Sequence, residues 1–586
     1  MITQTLHAVD YVLLVLLLLT SAIIGIIFGI FKKKKSSAKE FLLGNREMGV
    51  FPTALSIAAS FLSANTLLGM PSEVYMHGTM ISYNVIGLII ATVITALVFM
   101  PKFRQMNCTS IYEYLEQRFD RTVRVCVSIV FSFSMLIYMA IVLYAPALAL
   151  SQTTGLNIWL SVFTSGIVCT FYSSLGGMKA VIWTDVLQAL VMLIGLLSAI
   201  LQGLIVLGGF GPTFSIASKG DRIQFNNMSI DPRVRHTVWS LSIGGTFNGL
   251  CAYSFSQTLV QRYMSVRTTQ GAKQALFINI ICVVFIILSC CFLGIIIYSY
   301  YADCDPFTAK YISTIDQIFP YFVMDVLSYI RGLPGIFLAC TFSGSLSTIS
   351  SGLNSLAAVI IEDIYKGLMN GKLTDERQGF VSKIFSIILG IVVMLLTYIA
   401  SHLGPIFIAT ISLLGALHGP IMGVFLLGFF FPRANRRGGL IGFISGIVLS
   451  LWIFIGSQMT KSQRGSERLP LSIVSCPLLI NQTISVSIPI KSDPLFKLYS
   501  VSHMWYSTIG VSLVLIVGVI VSYLTHPLES HEIDQNLIIS INKKTFRHWF
   551  RCDIDHENDT EQTNENELNI RKPFIPLAIL KKANDS

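Results

Sequence analysis

Long apolar runs recur along this chain, separated by short polar or basic stretches. A run of about 20 apolar residues is what an α-helix needs to cross the hydrocarbon of a bilayer. On that rule the pattern predicts membrane helices near 9–31, 52–75, 79–101, 124–151, 158–176, 183–207, 237–261, 273–300, 333–362, 380–400, 404–431, 439–457 and 503–525, thirteen in all. Two of these runs are interrupted. The second carries Ser60, Ser63, Asn65, Thr66, Gly69, Pro71 and Glu73, and the seventh carries Gly244, Gly245, Thr246, Asn248 and Gly249. Broken backbone at membrane depth is tolerated only where protein or a water-filled cavity satisfies it. Freed carbonyls there can hold a small cation, and a half-helix N-terminus presents positive charge. Two interrupted spans in separate halves point to an ion-coupled secondary transporter. Two kinked helices with small residues at their packing contacts are the other reading.

Charge orients the spans. The first helix is followed by Lys32, Lys33, Lys34 and Lys35, a cytoplasmic anchor that places the N-terminus outside. With an odd number of spans the C-terminal tail is expected in the cytoplasm. The inner loops then hold Lys102 to Arg124, Lys179, Arg262 to Lys273, Lys366 to Arg377 and Arg433 to Arg437, while the short outer loops 76–78, 152–157 and 401–403 hold no Lys or Arg. The long outer loops are 208–236, 301–332 and 458–502. Two of them carry glycosylation sequons, at Asn227 and Asn481; those at Asn107 and Asn558 fall on the inner side. Of eleven cysteines, Cys304 and Cys476 alone are expected in the oxidising exterior. They are the pair for a disulfide, with two free thiols as the other reading.

Composition agrees with a polytopic membrane protein: 586 residues, 53% hydrophobic and 12% charged, with a mean hydropathy of +0.68. Soluble domains run near about 25% charged. The net charge of +10 follows from the inner loops and implies no nucleic-acid partner. The first run is too long for a secretory signal and lacks a basic leader. No nucleotide-binding loop, zinc-ligand spacing or nucleophile elbow occurs, and Gly176, Gly177, Gly208 and Gly209 read as helix-end turns. An enzyme, an ATP-driven pump and an organic cofactor are therefore not expected, and an ion gradient is the available drive.

A second dense polar stretch lies at 342–355. At about 100° per residue, Ser343, Ser347, Ser350, Ser351 and Asn354 share one helix face. Such a hydroxyl stripe either packs through interhelical hydrogen bonds or ligates a hard cation through oxygen. Ionisable residues within spans point to function. Asp185 is one, with an interfacial carboxylate solvated by the cytoplasm, or one paired with Lys179, as the alternative. Glu73 is expected at the outer mouth, as a cap or gate. Glu362 and Asp363 are expected at a solvated inner helix end. Tyr144 sits in a helix marked by Pro146 and reads as a core tyrosine. No Lys or Arg is expected deep in any core helix.

The ordered motifs at 69–75 (Gly-Met-Pro-Ser-Glu-Val-Tyr), 144–150 (Tyr-Ala-Pro-Ala-Leu-Ala-Leu), 175–188, 260–263 (Val-Gln-Arg-Tyr), 303–306 (Asp-Cys-Asp-Pro) and 343–348 (Ser-Gly-Ser-Leu-Ser-Thr) resemble the sodium/solute symporter family. Within it, the chain is most similar to the branch of sodium-coupled monocarboxylate, multivitamin and iodide transporters. The resemblance runs from about residue 10 to 525. It implies an all-α, LeuT-like core of two inverted five-helix repeats, at 52–207 and 237–431. One helix and its basic inner loop (1–51) precede the core. An outer loop (208–236) lies between the repeats, two helices (432–525, including the loop 458–502) follow, and an inner tail (526–586) ends the chain. The resemblance further implies a sodium site from Ala59 and Leu62 with Gly344, Ser347 and Thr348, and Asp185 near the inner release path. A second ion or substrate position falls on Ser63, Thr66 and Tyr144. Thr66 matches monocarboxylate members rather than iodide members. Asn65, the stretch 247–249 and the stretch 256–259 depart from the branch pattern where substrate should bind.

The expectation is a plasma-membrane, sodium-coupled symporter of small organic anions, monocarboxylates or carboxylate vitamins such as biotin and pantothenate. Its partners are sodium, that anion and the bilayer. With no deep cation, the carboxylate is to be met by backbone N–H groups, hydroxyls and sodium, with Thr66, Asn65, Asn248 and Gln257 lining the cavity and Tyr144 opposite. An iodide, sugar or choline symporter, or a sodium-gated sensor on the same scaffold, is the alternative.

Overall fold

Helices make up the ordered framework, and among the described residues the only β-type pairing is an isolated bridge between Met48 and Val266. The computed structural model describes residues 6–31, 38–106, 108–365, 374–402, 406–460, 468–476, 495–529 and 532–539. The chain divides into two units, Met1–Ile539 and Ser540–Ser586. The second lies outside the described residues, as do Lys32 to Lys35 and the sequons at Asn107, Asn481 and Asn558.

The long helices, in chain order, are α1 (Ala8–Ile26), α2 (Val50–Phe61), α3 (Ala64–His77), α4 (Thr79–Met106), α5 (Arg121–Thr154), α6 (Ile158–Leu207), α7 (Gly245–Phe255), α8 (Gln257–Met264), α9 (Thr269–Tyr300), α10 (Leu333–Tyr365), α11 (Asp375–Ala400), α12 (Ile406–Phe430), α13 (Arg436–Met459) and α14 (His503–Leu524). Among the described residues ten are long and apolar enough to cross a membrane, or eleven when the bent pair α2–α3 counts as one span. Two features account for the difference from the thirteen runs. The runs 158–176 and 183–207 lie in the single element α6, and the run 237–261 is cut into the short helices α7 and α8.

Each break has a local cause. The chain leaves helical geometry at Leu62 (φ −89°, ψ 76°) and Ser63 (φ −72°, ψ 168°), so α2 and α3 meet at 55°. Element α6 turns at Gly177 (φ 56°, ψ −154°), a left-handed conformation that glycine adopts without strain. A Cβ there would lie 2.7 Å from the carbonyl oxygen of Phe41. The second interruption is not at residues 244–249 as the pattern suggested. That stretch is helical, and the chain breaks at Ser256 (φ −100°, ψ 122°). The glycines there serve close packing instead: Cβ atoms at Gly244 and Gly249 would come within 2.4 Å of Met504 O and 2.7 Å of Ala91 Cβ.

Burial separates core from periphery. Helix α10 is buried over nearly its whole length, packed against α6 and α5 with α1 and α2 beside it. Helix α1 exposes Val12, Leu16, Leu19 and Ile23 along one stripe, the apolar face that a membrane helix turns to lipid. Helices α12, α13 and α14 pack on one another at another side of the bundle. At the end of the bundle that holds Glu73, the loops are knitted onto α3. Arg222 donates to Tyr75 O, Gly220 O and Pro470 O at 2.8, 2.7 and 2.8 Å and lies 4.0 Å over the Tyr298 ring. Tyr75 Oη donates to Asp305 Oδ1 at 2.6 Å. Cys304 and Cys476 are disulfide-bonded beside this contact, with a Cα–Cα distance of 5.0 Å.

Two charge expectations and one alternative reading are corrected. Arg262 lies in α8 and is wholly buried, so a cation does sit within a core helix. Asp363 is also wholly buried rather than solvated, accepting from Ser110 Oγ at 2.5 Å and Arg124 Nε at 2.6 Å. Lys179 faces Glu40 and Glu47 at 3.6 and 3.5 Å, not Asp185.

Candidate ion and substrate site

The break between α2 and α3 abuts the hydroxyl face of α10. A helix that stops at Phe61 leaves its last carbonyls, that of Ala59 among them, and the carbonyl of the capping Leu62 without the amides of a continuing helix. Facing them, Ser60 Oγ lies 2.9 Å from Ser347 Oγ and 3.2 Å from Ser351 Oγ. Thr348 Oγ1 donates to Gly344 O at 3.0 Å and approaches Ser60 O at 3.5 Å. The approach depends on Gly344, where a Cβ would come within 2.8 Å of Ala64 N. The structure thus gathers the neighbourhood of Ala59 and Leu62 with Gly344, Ser347 and Thr348. Ser60 joins them, although the sequence stripe alone did not single it out; its place one residue after Ala59 in the interrupted run was the available signal. The donors are neutral oxygens, the set that suits a monovalent hard cation.

Asp185 stands at the edge of this cluster, wholly buried. Its Oδ2 accepts from Ser56 Oγ at 2.6 Å and from Arg262 Nη2 at 3.0 Å. Arg262 Nη2 also contacts Ser351 Oγ. Asp185 Oδ1 and Arg262 Nε and Nη1 have no partner among the described residues. The pair therefore ties α6 to α8 beneath the hydroxyl cluster with hydrogen-bonding capacity left over.

A cavity of about 210 Å³ opens beside the cluster. Ser63, Asn65, Thr66 and Asn248 line it, and so do Tyr138 and His418. Asn65 Nδ2 donates to Thr410 Oγ1 at 2.9 Å while its Oδ1 has no partner among the described residues. Asn248 is held from behind, its Oδ1 accepting from Ser507 Oγ at 2.5 Å and its Nδ2 donating to Met504 O at 3.3 Å. No Asp, Glu, Lys or Arg is among the lining residues.

Two expected lining residues are elsewhere. Gln257 is buried and spent on a loop: its Oε1 accepts from Ile111 N at 3.0 Å and its Nε2 donates to Thr109 O at 2.8 Å. Its neighbours Ser256 and Thr258 line the cavity, while Gln257 faces the loop. Tyr144 is half-buried and outside the lining, and Tyr138, six positions earlier on the same helix, takes its place.

At one end of the bundle Glu73 accepts from Arg235 Nε and Nη2 at 2.6 and 2.9 Å, with His77 Nδ1 3.3 Å and His236 Nε2 3.4 Å away. Glu73 thus sits in a cluster with Arg235 and two histidines rather than standing alone. Asn227 is occupied within its loop, donating from Nδ2 to His236 O at 3.0 Å.

Residues 41–446 match the Sodium:solute symporter family. The chain belongs to that family. The symporter is 40% identical to sodium-coupled monocarboxylate transporter 2 of Mus musculus over 565 residues, covering 95% of this chain and 91% of that one. It is 41% identical to the sodium-dependent multivitamin transporter of Oryctolagus cuniculus over 531 residues, covering 89% and 83%. Among solved structures, it is similar to a Na+-coupled sialic acid symporter in a substrate-bound outward-open state. The TM-score is 0.70 at 25% identity, over 89% of this chain and 99% of that one. The chain is thus a membrane transporter and not an enzyme.

Proposed function

We propose that this symporter couples sodium to the uptake of small organic anions, monocarboxylates or carboxylate vitamins such as biotin and pantothenate, by alternating access at the plasma membrane. The observation that carries the reading is the meeting of the α2–α3 break with the hydroxyl face of α10, beside a cavity whose lining holds no charged side chain. The sodium ligands in this reading are the carbonyls of Ala59 and Leu62 with Gly344, Ser347 and Thr348. Asp185 stands behind them and eases release inward. Ser63 and Thr66, at the N-terminal end of α3, receive a second ion or the substrate carboxylate, where the half-helix dipole favours negative charge. Sodium nearby lowers the electrostatic cost of that anion. Each net positive charge moved inward gains about 2.3 kcal/mol per 100 mV, enough to concentrate substrate roughly fiftyfold.

The LeuT-like reading takes 52–207 and 237–431 as two inverted repeats. Counting α6 as two spans around Gly177, and α7–α8 as one, restores thirteen crossings with the N-terminus outside. Glu73 then belongs to the outer side and Asp363 to the inner. Glycosylation at Asn227 and Asn481 fits the same orientation. The names of the relatives support the substrate class.

Sodium-dependent uptake of labelled lactate, nicotinate, biotin and pantothenate, screened beside iodide, choline and glucose, tests the proposal. Concentrative uptake of the carboxylates, poorly inhibited by their neutral amides, is expected. Glucose, choline or iodide uptake without carboxylate competition, or sodium current without accumulation, would overturn it.

A further inference from the structure

One side chain of the central cavity has its hydrogen-bonding character set by its neighbours. His418 lines the cavity from the middle of α12. Its Nε2 lies 2.9 Å from Ser134 Oγ, a side chain wholly buried in α5. The Ser134 hydroxyl has a single proton, which it donates to Phe131 O at 2.8 Å. With the proton there, Ser134 Oγ accepts from the imidazole, an arrangement that calls for the ring proton on Nε2. Nδ1 is then a bare acceptor, and with Nε2 spent on α5 it is the ring nitrogen left for the cavity.

Nothing charged lines the cavity to change that state. The other titratable lining groups are Tyr138 on α5 and Cys251 on α7, and Cys251 Sγ donates to His418 O at 3.5 Å, as a neutral thiol does. An acceptor nitrogen is a poor partner for a carboxylate and a good one for a hydroxyl or N–H group.

We infer that His418 is a specificity-determining residue whose Nδ1 accepts a hydrogen bond from a donor group carried by the substrate. The inference rests on the carboxylate reading above and adds the second end of the ligand. The acid group is held at the α2–α3 break, and a hydroxyl, amide or ureido N–H is read by α12. The substrate class this selects is carboxylates with such a donor, 2-hydroxy acids among the smallest. A site that hydrogen-bonds a substrate group rejects the analogue lacking it, because its own polar atom is left unpaired.

The test compares sodium-driven uptake of labelled lactate and propionate, which differ by the 2-hydroxyl, in cells expressing the full chain. The parent should show a roughly tenfold higher apparent affinity for lactate. His418→Leu removes the acceptor and should bring the ratio toward one. His418→Gln, whose side-chain carbonyl can accept, should keep part of the preference, at surface levels checked by labelling. Equal affinities in the parent, or an unchanged ratio in His418→Leu, overturn the inference. Should His418→Leu fail to reach the surface, the parent ratio and His418→Gln still decide. Propionate uptake that rises with external acidity in the parent but not in His418→Gln would show Nδ1 meeting the carboxylate as a donor, and would also overturn it. Sodium-driven uptake of neither acid rejects the carboxylate reading itself, a different result from uptake of both without preference.

Discussion

Asp185 and Arg262, 77 positions apart in the chain, meet as a wholly buried ion pair at 3.0 Å. Removing one partner of such a pair leaves an uncompensated buried charge, at a cost of about 3–5 kcal/mol. Asp185→Asn and Arg262→Met should each lower the thermal stability of the detergent-solubilised protein. The double variant should recover much of the loss, as coupled neighbours do. Additive losses in the double variant would show that the two charges do not depend on each other. In transport, Asp185→Asn should slow turnover more than it weakens external substrate binding; parent-like kinetics would remove Asp185 from the release path.

The hydroxyl cluster makes a separate prediction. Ser347→Ala and Thr348→Ala should raise the sodium concentration for half-maximal uptake several-fold, since a buried cation cannot replace lost ligands cheaply with water. Ser343, on the same helix, has a hydroxyl with no partner among the described residues, and Ser343→Ala should leave sodium dependence as in the parent. Normal sodium curves for both Ser347→Ala and Thr348→Ala, at normal surface level, would place sodium elsewhere.

Close approach of α10 to the helix break is set by Gly344. An added methyl meets the backbone at Ala64 N, so Gly344→Ala should push α10 off α3 and cripple sodium-dependent uptake. Gly155, at φ 71° with nothing within 4 Å, supplies the control. Gly155→Ala should cost only about 1–2 kcal/mol of backbone strain and keep the sodium curve. Equal effects of the two would mean that Gly344 matters only for folding.

Gln257 and Thr66 separate positioning from contact. Thr66→Ala and Asn65→Ala should weaken apparent substrate affinity, because both line the cavity. Gln257→Ala should mainly lower surface expression or stability, since its amide bonds backbone at Thr109 and Ile111. A selective rise in substrate KM in Gln257→Ala, with normal expression, would return that residue to the binding wall.

The disulfide is open to a direct assay. An impermeant maleimide should label neither Cys304 nor Cys476 on intact cells until a reductant is added. Labelling of both without reductant would contradict the bridge.

Much of this arrangement was legible in the chain. Apolar run length found the helices because runs of about 20 residues suit a helix, which bonds its backbone within one segment in lipid, and the polar residues at 60–73 marked the break that the structure bends by 55°. The serine periodicity at 343–354 placed one face of α10, since a helix repeats its face every three to four residues. The second break was misread, because glycine loosens a helix and permits close packing with the same atoms. At 244–249 packing decided, and the chain broke at Ser256, a position with no glycine or proline to announce it.

What the sequence determined by itself is therefore local: which segments are apolar enough to span, where the second of them loses its helix, and which helix face carries hydroxyls. These follow from hydropathy and periodicity, which act along the chain. Only the tertiary structure decided the partners of Asp185 and Asp363, the turning of Gln257 away from the cavity, the exchange of Tyr144 for Tyr138, and the place of His418 against Ser134. Each depends on which of several similar faces meets another across the bundle. That choice rests on shape and on pairing buried polar atoms with groups far away in sequence, and no local pattern encodes it.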